Sequence, residues 1–222
     1  MELDKLCEQK RVDNLFIPIK KKFPKLKEEI EQIEFLFKNS IYNKNRMLEE
    51  LERSNEGFEF QNNTFSFEMK IPIIVWQDII GFEFQSCLYN LIRTINYILK
   101  FKFQQLDKKE LKKYPSFTTY VFSNKKDENL FDLFSKNYYE WVLPINEIRN
   151  KLTHKFLVKK FQGFLFIKQN ISKEGIEREG KVEVGCQEYG CLNFEDFVED
   201  KIKKLEKFIQ EFFIKFGEHY EK

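Results

Sequence analysis

The chain has 222 residues, enough for one sizeable core; 42% are apolar, and phenylalanine alone occurs 26 times. Its 38 Lys and Arg nearly balance 36 Asp and Glu, so the surface as a whole is not that of a polyanion binder and any basic patch must be local. The N-terminal MELDKLCEQKRVDN lacks the apolar run of a secretory signal. Cys7, Cys87, Cys186 and Cys191 suggest no disulfide framework in a chain of this size. Both features predict a cytoplasmic protein.

From residue 25 to 53, Leu26, Ile30, Ile33, Phe37, Met47, Leu48 and Leu51 recur at helical spacing, which predicts a helix with a candidate break near Asn43–Asn45. Next, Phe58, Phe60, Phe65 and Phe67 alternate with polar residues around QNNT, the pattern of a short β-hairpin. Pro72 opens a segment, Ile73 to Leu99, that is apolar on nearly every face and reads as a helix central to a bundle or to an oligomer interface. Asp78, Glu83 and Arg93 set it apart from a membrane span, and Glu83 and Arg93 either pair internally, the favoured reading, or approach the site. Residues 100 to 127 are polar, contain Pro115 and read as a loop with some local order.

A helical pattern resumes over Asn129–Trp141, and Pro144 either breaks it or begins a second helix in its first turn. FQGFLFIKQ and KVEVGCQEY read as paired strands joined by SKEGIEREG. The final stretch is amphipathic through Phe194, Phe197, Val198, Ile202, Leu205, Phe208, Phe212 and Phe216, with Asn193 as its N-cap and acidic residues in its first turn. The expected fold is mainly α, a helical bundle with two small β-hairpin elements. Residues 1–70 form an N-terminal helix and hairpin elaboration, and residues 71–222 form the bundle, with a hairpin inserted at about 157–193.

One of only two histidines lies in INEIRNKLTHKF. On a helix, at roughly 100° per residue, Ile145, Ile148, Leu152 and Phe156 form an apolar stripe, Arg149 sits at its edge, and Glu147, Asn150 and His154 share a different face. That polar face must meet solvent, another segment or a second copy of the chain. A solvated helix face is the bland reading. Against it, histidine titrates near neutral pH, and from Arg149 to Lys168 there are one Arg and five Lys with no Asp or Glu. Such a run marks a local anion-binding surface in which Lys151, Lys155, Lys159 and Lys160 are candidate RNA contacts. Phe156, Phe161, Phe164 and Phe166 interleave with the lysines as faces on which bases can stack.

The string Arg149-Asn150-Lys151-Leu152-Thr153-His154, within a predicted helical bundle, resembles the HEPN superfamily, whose signature is an arginine, commonly followed by Asn, Asp or His, with a histidine a few residues on. The resemblance covers about residues 72–156 and the last helix. It implies a metal-independent endoribonuclease, of a kind often found among toxins and antiviral effectors, that pairs two motifs across a homodimer into one cleft. Under it His154 is the general acid or base, Arg149 holds the scissile phosphate and Asn150 orients one of the two. A cognate antitoxin or regulatory partner would restrain the activity.

The chemistry is consistent with that set: RNA supplies its own nucleophile, so proton transfer and anion stabilisation are what the protein must add. No cofactor or metal is called for. Cys186 and Cys191 make too small a cluster for a four-ligand zinc site, and no phosphate-binding glycine loop or HExxH occurs. His219, in the last turn of the final helix, reads as structural. Two other readings stand beside the nuclease: a non-catalytic HEPN-like module that binds RNA, a nucleotide or a protein partner, and a helical scaffold in which the motif is coincidental.

Overall fold

The computed structural model describes the backbone of residues 2–55, 58–61, 64–67, 73–106, 108–109, 112–123, 129–154, 161–172, 175–186 and 192–220, and the side chains of 6–51, 79–106, 108–109, 112–123, 130–150 and 194–220. The fold is mainly helical. Its helices are α1 (Glu2–Lys22), α2 (Lys27–Asn55), α3 (Ile73–Leu106), α4 (Phe117–Val121), α5 (Asn129–Asn137), α6 (Leu143–His154) and α7 (Phe194–Tyr220). None of the described helices is long and apolar enough to cross a membrane.

The core forms around α3. Ile80, Phe84, Leu88, Leu91, Ile95, Ile98 and Phe101 are buried, and α2, α6 and α7 all pack on this helix. One continuous apolar cluster runs from Val12 on α1 through α2 and α3 to Phe216 on α7. Much of it is aromatic. Phe212 meets the rings of Phe101, Phe134, Phe208, Phe213 and Phe216 at centroid distances of 5.1–6.4 Å. Phe84 stacks on Phe194 at 4.0 Å. Such ring pairs contribute about 0.5–1.5 kcal/mol each beyond the area they bury.

Several sequence expectations change here. Glu2–Lys22 is helical although its mean hydropathy is low, because Val12, Leu15, Phe16 and Ile19 fall on one side and are buried. α2 runs unbroken through Asn43–Asn45. The Asn43 side chain bonds across to α3 instead of competing for its own backbone, and Ile41 and Met47 on either side are buried. The segment expected to be a loop from residue 100 continues α3 through Leu106, since Phe101 and Phe103 are buried. Within it, Ser116 and Thr119 form a reciprocal cap that starts α4.

Pro144 lies in the first turn of α6, the second of its two sequence readings, and the chain stays helical up to it. A π-helical segment, Tyr138–Val142, joins α5 to α6, and the Leu143 N–H donates to the Tyr138 carbonyl. In an unbroken α-helix the proline ring would press on the carbonyl four residues back, and widening that turn relieves the clash. The segment is pinned by Asn137, whose amide donates to the Leu133 carbonyl at 2.8 Å and accepts from the Trp141 indole at 2.7 Å.

The strands pair as antiparallel ladders. β1 (Phe58–Gln61) meets β2 (Thr64–Phe67) with Phe58 opposite Phe67. β3 (Phe161–Ser172) meets β4 (Gly175–Cys186) with Ser172 opposite Gly175, and β5 (Leu192–Asn193) joins the edge of β4. Most of SKEGIEREG is therefore ladder rather than turn. The strand side chains lie outside the described residues, and the described core comes almost wholly from helices.

An ion cluster ties α1, α2 and α7 together. Lys44 on α2, only 6% exposed, reaches Glu8 of α1 at 2.6 Å and Glu199 of α7 at 3.0 Å. Arg11 of α1 meets Glu199 at 3.1 Å and Glu206 at 2.8 Å. Burial alone would raise the Glu199 carboxyl, but the Lys44 hydrogen bond and charge, then Arg11, outweigh it and hold the group below the usual carboxylate range. A folded pKa that is depressed contributes stability above the unfolded value and loses it as pH falls through the folded one.

Two outcomes follow for unfolding in urea. Phe212→Ala should cost about 3–5 kcal/mol. Lys44→Met, which keeps the stem and leaves the carboxylates underpaired, should cost about 3 kcal/mol near neutral pH. Wild-type stability should decline as pH falls below about 4.5, the ordinary value for Glu199, and the variant should decline less steeply because its Glu199 is no longer held so low. A variant with the wild-type acid slope would show that the cluster does not carry the linkage.

Candidate functional site

α6 buries Ile145 and Ile148 against the core, leaves Arg149 half-buried and exposes Glu147 and Asn150, the faces that its periodicity predicts. The Arg149 guanidinium donates from Nη2 to Asn150 Oδ1 at 3.1 Å. Both residues border an open cleft of about 810 Å³ whose other walls are Asn43 of α2 and Phe82, Gln85, Ser86, Tyr89 and Asn90 of α3. Its floor is ordered by a carboxamide relay: Asn90 Nδ2 donates to Asn43 Oδ1 at 3.1 Å, and Asn43 Nδ2 donates to Glu83 Oε2 at 3.0 Å. The cleft thus offers a guanidinium for an anion, amides and a hydroxyl for polar edges, and two aromatic rings.

Glu83 does not pair with Arg93 as expected; its carboxylate accepts from Asn43, and Arg93 is exposed on α3. The two are ten residues apart, too far along one helix for their side chains to meet. Position 154 ends α6, about 6 Å along and about 40° round from position 150. The His154 and Lys151 side chains lie outside the described residues, as do Lys155, Lys159 and Lys160 entirely. The structure therefore brings Arg149 and Asn150 together beside α2 and α3, and gives His154 a place on the same helix. The α3 and α2 residues of the cleft were not singled out by sequence. Their signal was the spacing Phe82, Gln85, Ser86, Tyr89, a polar and aromatic stripe at helical period within an otherwise apolar segment.

Behind the cleft, the Cys87 thiol donates to the Ser40 carbonyl at 3.3 Å. Burial, with a smaller push from Glu199 against the pull of Lys44, raises its pKa to about 12, so it stays protonated and unreactive near neutral pH. His219 lies in the last turn of α7. Among the described residues no three His, Cys, Asp or Glu side chains converge as a metal site; the Cys186 side chain and Cys191 lie outside them. Compared with protein-family models, curated proteins and solved structures, the chain matches none.

Proposed function

We propose that the chain is an endoribonuclease of HEPN type that cleaves RNA without a metal, acting as a homodimer. The observation that carries this reading is the position of Arg149 and Asn150 on one helix, hydrogen-bonded to each other and bordering a cleft that α2 and α3 wall. In the proposed reaction the RNA 2′-oxygen attacks phosphorus and the bond to the 5′-oxygen breaks. The 2′-hydroxyl proton passes to one His154, and the leaving 5′-oxygen takes a proton from His154 of the second copy. Arg149 offsets charge that builds on the phosphate oxygens, its planar fork suiting two of them at once. Asn150, by accepting from Arg149, sets the direction of that fork.

The products are a 2′,3′-cyclic phosphate and a 5′-hydroxyl. Purified protein in EDTA should produce these ends from single-stranded RNA. His154→Ala should slow cleavage roughly 10²–10⁴-fold, and Arg149→Ala by a comparable factor. RNA that stays intact under these conditions, with low-salt binding still lost in Arg149→Ala, would replace the enzyme with the non-catalytic binding module. A regulatory partner or antitoxin belongs to the same proposal, and co-expression that restores growth to cells producing the wild-type chain would identify one.

A further inference from the structure

Phe82 and Tyr89 are 66% and 53% exposed, whereas Phe84, Phe101 and Phe103 on the same helix are buried and Tyr97 is partly buried. They are not scattered surface rings. Both border the cleft that holds Arg149 and Asn150, with Gln85 and Ser86 between them on the same stripe. They are seven positions apart, which places them on one helix face about 10.5 Å apart along the axis. The stripe continues one turn on to exposed Arg93, while Arg149 of α6 borders the same cleft. The described lining carries no carboxylate, and the nearby Glu83 spends an oxygen on Asn43.

We infer that Phe82 and Tyr89 form a base-stacking platform that holds single-stranded RNA across the cleft, with Arg93 and Arg149 on its phosphates and Gln85 and Ser86 facing base edges. The inference rests on the RNA reading above and adds to it the α3 residues that bind the bases. Rings flanked by cations suit a single strand, because every base has a face to stack and every linkage a charge to neutralise. A duplex keeps its base faces covered and would meet only the cations.

The test uses the full chain in EDTA and a fluorescent 12-nucleotide 2′-O-methyl oligouridine, which cannot be cut because its 2′-oxygen is blocked. A chain of the same phosphate count without bases is the control. By fluorescence anisotropy, Phe82→Ala and Tyr89→Ala should each weaken oligouridine binding about tenfold, as loss of one stacked base does, and leave the abasic chain unaffected. Tyr89→Phe should bind like wild type. No binding by wild type, equal losses on both probes, or unchanged binding in the alanine variants would overturn the platform. So would sedimentation showing that these variants turn a dimer into monomers, which would make the face a contact between copies. Because the probe is not cleaved, wild-type cleavage rates in His154→Ala and Arg149→Ala would sink the nuclease reading and leave the platform standing.

Discussion

The need to bury α3 organises this molecule. A helix of 34 residues that is apolar over most of its circumference has to be surrounded, and α2, α6 and α7 are the walls that surround it. α2, unbroken over 29 residues, covers one flank along much of its length. α7 supplies the phenylalanine seam on another. The coverage is incomplete along one stripe, where Phe82, Tyr89 and Arg93 face outward, and this is where α6 delivers Arg149. Core and candidate site are thus two faces of the same helix.

Orientation within the bundle is set by polar groups at its margins. Aromatic packing is strong but tolerant of sliding, whereas a lysine held by carboxylates from two other helices fixes both rotation and height. The Lys44 cluster does this where α1, α2 and α7 meet. The Asn90–Asn43–Glu83 relay does it between α2 and α3. Neither is placed on the apolar seam itself, where an unsatisfied polar atom would cost more than it contributed.

Periodicity made α7 and the heart of α3 legible, because their apolar residues repeat over many turns and their buried faces are the predicted ones. The inward turn of Ile145 and Ile148, and with it the outward turn of Asn150, was legible for the same reason. What sequence did not give was α1, whose few apolar residues sit among lysines and glutamates, or the continuity of α2 past its asparagines. In both, a neighbouring helix decides the outcome over local preference. The cleft was illegible as a whole. Its walls come from residues 43, 82–90 and 149–150, and only tertiary packing brings three such distant stretches together. Arg149 and Asn150 could be named in advance, but not the aromatic rings opposite them.

The wide turn over Tyr138–Val142 has a consequence for aim. It holds one residue more than an α-turn would, so everything downstream is set back by about 100° of azimuth relative to an unbroken α-helix of the same sequence. α5 can then address α7 while α6, on the same continuous rod, addresses α3. The bearing of Arg149 toward the cleft is in this sense dialled in upstream, by a single surplus residue ahead of Pro144.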